Sequence, residues 1–408
     1  MYDLAAMGAW LEFAVRWLHV ITAIAWIGSS FYFIALDLGL HRDRNLASGA
    51  DGEEWQVHGG GFYHIQKYLV APDQMPGDLI WFKWESYATW LSGFAMLALV
   101  YYLGAEFYLI DPNIADLAPW QAILISMGSL GFGWLAYDRI CKTKFGDNNT
   151  RLMLLLFVIL VGMAWFYTQV FTGRAAMLHL GAFTATIMSG NVFFIIMPNQ
   201  RIVVADLIAG RIPDAKYGKI AKQRSTHNNY LTLPVVFLML SNHYPLAFGT
   251  EYTWLIASLV FLMGVTIRHF FNTMHARKGT PYWTWAVTAI LFIIIMWLST
   301  APMFRADEAE QEVQAGLVQF AQADGWEDVH DIVMGRCSMC HAEEPFYEGI
   351  LWAPKGVRLD TEAEIIRNAR AVYLQAGLSH AMPPANLSYI EEEERAAIVK
   401  WYEAATSG

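Results

Sequence analysis

The chain has 408 residues, of which 56% are apolar and only 16% charged, well below the roughly one-quarter charged residues of a soluble domain. That balance points to a membrane protein with room for two or three domains. The formal charge of −10, with no basic patch interleaved with aromatics, excludes a nucleic-acid partner.

The charge is split unevenly. Residues 1–304 carry a net +1 and residues 305–408 a net −11. The expected organisation is all-α: a polytopic transmembrane domain over 1–304, then a small acidic soluble domain over 305–408.

A spanning helix needs about 20 mainly apolar residues. Eight such stretches are read, at 10–38, 84–105, 118–138, 151–171, 175–197, 231–249, 252–271 and 281–300. The first has no basic lead-in and carries Asp3 and Glu12, so it is expected to stay as a helix rather than be cleaved as a signal. Trp and Tyr cluster at many ends, as in Trp81-Phe-Lys-Trp84 and Pro281-Tyr-Trp-Thr-Trp285, matching an interfacial belt.

Connecting segments alternate in Lys and Arg, sixteen on one side against Arg174 alone on the other. The positive-inside rule then puts both termini outside a bacterial inner membrane, with the C-terminal domain periplasmic. The basic run Arg211–Arg224 reads as a solvated inner face, and Cys141 as a free thiol.

Within the first helix, Arg16 and His19 lie near the outer end. The long inner segment that follows holds Trp55-Gln-Val-His58-Gly-Gly-Gly61-Phe-Tyr63-His64-Ile-Gln-Lys67-Tyr68. Three glycines let a ligand approach the backbone. His58, His64 and Lys67 are protonatable, and Tyr63, Trp55 and Tyr68 offer ring faces. A helical reading puts His64 and Lys67, three apart, on one face. A glycine-rich interfacial loop has the same composition. The missing Gly-Lys-Ser/Thr excludes a nucleotide P-loop.

Ionisable groups inside a bilayer are costly and mark function by default. His19, His179 and His243 fall at one depth with Arg16 and Arg174. They are candidate axial ligands for a membrane haem b, the arginines serving its propionates. The plainer alternative is histidines bonded to neighbouring helices. A weak echo of Thr22–Phe31 in Thr184–Phe193 suits two four-helix halves, but small residues at that spacing are also ordinary packing chemistry in lipid.

Apolar character stops near Ser299–Arg305. Helices are then expected at 308–323, 327–336, 361–376 and 388–404, the last with four glutamates near its positive end. Between them lies Cys337-Ser-Met-Cys340-His341, the spacing of a c-type haem attachment in which two thiols take the vinyl groups and the histidine ligates iron. Zinc sites also use Cys-x-x-Cys, but no second pair is present. Met382, in His380-Ala-Met-Pro-Pro384, is the expected second iron ligand, with His380 its rival. Together these features describe a small class I cytochrome c domain with one covalent haem c.

The run Arg16-Trp-Leu-His19 with Ala25-Trp-Ile-Gly28-Ser-Ser-Phe-Tyr-Phe33, the His58-Gly-Gly-Gly-Phe-Tyr63 segment, the eight spans and the terminal haem box together resemble the membrane-bound bacterial urate oxidase (urate hydroxylase) family over essentially the whole chain. The resemblance implies oxidation of urate to 5-hydroxyisourate in purine catabolism, with electrons passed to the protein's own cytochrome rather than to hydrogen peroxide. It implies a downstream cytochrome or terminal oxidase as acceptor, and carries Cys337, Cys340, His341 and Met382 over as the haem site. For urate itself, a planar anion, His58, His64, Lys67 and a stacking Tyr63 are the expected catalytic group. The rival readings are a membrane dehydrogenase or quinol oxidoreductase for another substrate, and a transporter with a fused redox sensor.

Overall fold

The computed structural model describes residues 4–68, 77–300, 318–347, 350 and 352–407. The chain divides into two compact units, Met1–Thr300 and Ala301–Gly408. The expected boundary at 299–305 and the first part of the expected helix 308–323 lie outside the described residues beyond Thr300.

The first unit is helical apart from one hairpin. Its elements are α1 (Leu4–Gly39), β1 (Ala50–His58), β2 (Gly61–Tyr68), α2 (Trp84–Leu97), α3 (Pro119–Cys141), α4 (Asn149–Thr168), α5 (Gly173–Ile208), α6 (Ala215–Leu240), α7 (Thr253–His275) and α8 (Trp283–Thr300). A helix is expected at each of the eight predicted places and is found there. Only five helices among the described residues, however, are both long and apolar enough to cross a membrane: Met7–Gly39, α4, α5, α7 and α8. The other three fall short for identifiable reasons. Regular α2 stops at Leu97 and passes into a wide turn over Ala98–Tyr102. Glycine, serine and Asp138-Arg139 dilute α3. The expected span 231–249 instead begins at Ala215, capped by Asp214, and ends at Leu240, so it carries Arg224, His227, Asn228 and Asn229.

Close helix approach is written in small residues. A Cβ on Gly133 would lie 2.1 Å from the Phe183 ring, and one on Gly264 would lie 2.5 Å from Cδ of Pro234. These glycines set the contacts of α3 with α5 and of α7 with α6, as expected where lipid supplies no drive for helices to associate and backbones must come close. Pro234 breaks the α6 hydrogen-bond ladder, and the Gly264 notch receives its ring.

The fold is predominantly helical, as an all-α class implies, with one unexpected strand pair at residues 50–68. β1 and β2 pair antiparallel, with Trp55 opposite His64 and His58 opposite Gly61. The two-residue turn is Gly59-Gly60, with φ of +58° and +80°. Two successive positive φ angles define the hairpin turn whose twist matches its strands, and glycine takes them without steric cost.

The second unit contains α9 (Trp326–Arg336), α10 (Ser338–His341), α11 (Glu362–Arg367), a further helical stretch from Ala369 to Leu378, and α12 (Glu392–Thr406). Val329, Val333, Ile365, Ile398 and Trp401 are completely buried in its core, and the Trp401 indole donates to the Phe320 carbonyl at 3.0 Å. The last helix opens at Glu391 rather than at Ser388. The Glu394 carboxylate reaches back to the Glu391 N–H at 2.7 Å, while the Ser388 carbonyl accepts from Arg336.

Candidate functional site

Alternation along a strand sends neighbouring side chains to opposite faces. His64 and Lys67, three apart, therefore part company, where the helical reading had joined them. On one face His64 donates to Glu53 at 2.7 Å and stacks on Trp55, with centroids 4.2 Å apart. Arg44 approaches Glu53 from outside at 3.6 Å. The His64 bond, against the opposing effect of burial, holds the Glu53 carboxyl below its ordinary range. On the other face Lys67 pairs with Asp37 of α1, which also takes Lys222 at 2.7 Å. His58 is exposed beside the turn, and Tyr63 is 53% exposed. The four residues expected to gather around urate do not converge.

Beside the hairpin, a cleft of about 400 Å³ lies among β1, the end of α1 and the end of α7. Tyr32 donates to Gln56 at 2.8 Å, and Gln56 donates to Glu54 Oε1 at 3.0 Å. Glu54 Oε2 and His275 Nδ1 are buried without a partner. Arg277 donates to His41 at 2.6 Å. The sequence did carry a pointer here: Gly-Gly between two alternating runs is a hairpin signal, and a hairpin puts Glu54 and Gln56 on one face.

A second cleft, of about 270 Å³, is lined by Glu12, Arg16, Tyr108 and Arg174 among others. Arg16 precedes Tyr32 by sixteen residues, roughly 24 Å along α1. Here the structure does bring Arg16 and Arg174 together, with Arg174 over the Tyr108 ring at 5.5 Å.

The three histidines expected to ligate a haem b have different surroundings. His19 bonds Thr89 and Ser92 and fills the notch at Gly93. His179 is fully buried and engages both ring nitrogens, donating to the Ala175 carbonyl at 2.8 Å and accepting from Ser126 at 2.9 Å. His243 is exposed in a short turn after α6.

A buried polar cluster escaped the sequence reading. Arg224, expected on a solvated face, is 2% exposed and pairs with Asp138 at 2.8 Å. It also donates to Asn191, which bonds Asn228. Tyr137 donates to His227 at 2.6 Å beside it. Only the spacing of Arg224, His227, Asn228 and Thr232 along one helical face could have revealed this.

In the second unit, α10 carries Cys340 and His341, and Cys337 sits at its start. His341 Nδ1 donates to the Val357 carbonyl at 2.7 Å. Burial pushes the Cys337 thiol up to about 12 and also raises that of Cys340. Met382 packs on the same core as Cys337, and its carbonyl accepts from Arg395 at 3.0 Å. His380 is 54% exposed on its side chain and faces Glu392 at 3.6 Å. These are the residues that could hold a haem.

A family model described as urate oxidase N-terminal matches residues 5–299. No curated protein and no solved structure matches the chain. The family match spans the whole helical unit with its hairpin, and the chain belongs to the urate oxidase N-terminal family.

Proposed function

We propose that the protein is a membrane-bound urate oxidase that passes the electrons of urate to one haem c on its own C-terminal unit. The family match over residues 5–299 supports urate as substrate and an oxidoreductase activity. Five helices long and apolar enough to span, and the one-sided distribution of Lys and Arg, support an inner-membrane location with the C-terminal unit periplasmic.

The observation that carries the electron route is His341. Its Nδ1–H is tied to the Val357 carbonyl, which fixes the tautomer and leaves Nε2 with the lone pair that a metal needs. Cys337 and Cys340 precede it at thioether spacing, and Met382 shares the Cys337 core while His380 faces solvent. This set fits a covalent haem with His341 and Met382 as axial ligands, an environment that raises the reduction potential. When bound, the haem supplies a one-electron acceptor fixed to the chain.

Urate monoanion plus water gives neutral 5-hydroxyisourate, one proton and two electrons. The electrons leave singly, so each turnover delivers two in succession to an external one-electron acceptor, a cytochrome or terminal oxidase. The added oxygen comes from water, and no peroxide forms. The reading uses haem c alone: His179 would have to give up its Ser126 hydrogen bond to offer a lone pair to iron.

Anaerobic titration of the purified protein with urate tests this. The ultraviolet band of urate should fall as reduced haem bands rise, two haem equivalents per urate. Urate loss that proceeds unchanged in the Cys337→Ser/Cys340→Ser variant, with peroxide produced, would refute it.

A further inference from the structure

Urate at neutral pH is a flat anion edged with N–H and carbonyl groups. A site for it needs a cation without a carboxylate partner, a hydrogen-bond acceptor for ring N–H, amide-type groups and an aromatic wall. The residues expected to supply these at the hairpin tip are scattered, two exposed and two on opposite faces of the sheet. The cleft at the base of the same hairpin holds every one of these groups.

We propose that the purine anion binds in the cleft formed by Tyr32, Glu54, Gln56, His41, His275 and Arg277, a placement that rests on the urate oxidase reading above. Glu54 and His275 come from different elements, β1 and the last residue of α7, yet each leaves a buried polar atom with no partner, Oε2 and Nδ1. Buried polar atoms are nearly always satisfied, so two orphans lining one cleft mark where a ligand's hydrogen bonds belong. Glu54 Oε2 is the acceptor for a ring N–H.

Arg277 supplies the charge. Its guanidinium donates to the His41 ring and makes no ion pair with a carboxylate among the described residues. It also holds a left-handed backbone, with φ of +56°, a conformation that non-glycine residues avoid and that clusters at ligand clamps. Arg44 also lines the cleft, and Tyr32 supplies its aromatic ring. Tyr32 and Gln56 are already linked to Glu54 through hydrogen bonds at 2.8 and 3.0 Å, so the acceptor is oriented before the ligand arrives. The space, about 400 Å³, lies in the range of small-ligand pockets. Gly39 keeps it open: a Cβ there would come within 2.9 Å of Glu54 Oε2.

The test is equilibrium dialysis of radiolabelled urate against the detergent-purified holoenzyme, with anaerobic haem reduction measured on the same samples. Glu54→Gln and Arg277→Gln should each raise the urate Kd at least tenfold while dithionite still reduces the haem fully. Arg277→Lys should recover part of the affinity, and Gly39→Ala should weaken binding with the charges intact. Wild-type affinity in both Glu54→Gln and Arg277→Gln overturns the assignment while leaving urate oxidation standing. So does loss of binding confined to Arg174→Gln, which would move the site to the other cleft. Binding that depends on Glu54 and Arg277, with no haem reduction by urate, would instead uphold the cleft and sink the electron route.

Discussion

The Trp55 indole and the His64 imidazole lie face to face across the hairpin, their planes 8° from parallel and their centroids 4.2 Å apart. They are directly opposed residues of an antiparallel pair, the unit that stabilises a sheet. A two-stranded hairpin is marginal by itself. Glu53 on His64 joins its two strands, while Lys67 on Asp37 and backbone bonds between His41 and Glu53 anchor it to the rest of the unit. The hairpin is thus anchored at its base, where the cleft lies, and free at its Gly59-Gly60 tip.

The cross-strand tie has a pH dependence. The His64 bond holds the Glu53 carboxyl below its ordinary value. A group whose folded pKa lies below its unfolded one stabilises the fold above the unfolded value, and the contribution fades as pH falls through the folded one. Amide exchange across residues 53–67 should therefore speed up as pH drops below about 4, after correction for intrinsic rates. Glu53→Gln should exchange faster at neutral pH and show a flatter profile. Parallel profiles for the two proteins would remove Glu53 from the account.

Arg224 and Asp138 form the one ion pair among the described residues in which both side chains are nearly inaccessible, at 2% and 7%. Asp138 keeps Lys142 at 2.6 Å when Arg224 is lost, but losing Asp138 strands the buried guanidinium, at a cost of about 3–5 kcal/mol. Asp138→Leu should lower the thermal midpoint in detergent markedly and Arg224→Met less, and the double variant should lose much less than the two losses combined. Additive losses would mean that the pair is not coupled.

How much of this was legible beforehand depends on the element. Long apolar runs such as Thr253–His275 declare themselves by composition, because lipid-facing and core-facing residues are both apolar. The polar α6 did not: Arg224 and His227 look like surface residues until α3 and α5 bring Asp138, Tyr137 and Asn191 against them. The hairpin was misread because three glycines suggested a loop, and because His64 and Lys67 at a spacing of three suit a helix. The alternation of Glu54, Gln56 and His58 with Trp55 and Val57 was the better guide. The cleft was legible only as far as the hairpin signal that puts Glu54 and Gln56 on one face, since Tyr32 and His275 meet them only through tertiary packing. The haem proposal is the opposite case: its spacing signal is local, carried by the five consecutive residues Cys337–His341.

Gly264 offers a clean packing test. Its would-be Cβ lies 2.5 Å from Pro234 Cδ and 2.7 Å from Cγ, a rigid ring that cannot rotate away. Gly264→Val should push α6 and α7 apart and destabilise the helical unit by about 1–3 kcal/mol. The readout is the thermal midpoint of the detergent-solubilised protein, with haem content unchanged because the second unit has its own core. An unshifted midpoint would show that the helices separate at no cost.

On the haem reading, Arg395 should act as a positioning residue for Met382 within the C-terminal unit. It is 4% exposed, and its guanidinium donates to the carbonyls of Ala376 and Met382. It therefore clamps the segment before Pro383 from the buried face of the last helix. Met382 is further fixed by its own N–H on the Gln375 carbonyl at 2.8 Å. On the haem reading, loosening this loop should weaken sulfur ligation without disturbing the thioether bonds. Arg395→Met should keep covalent haem on a denaturing gel, lose intensity in the long-wavelength absorption band of Met-ligated ferric haem, and lower the reduction potential. Met382→Ala should abolish that band, so the arginine variant falls between wild type and the ligand deletion. A full-strength band and an unchanged potential in Arg395→Met would mean that the loop holds its methionine without the clamp.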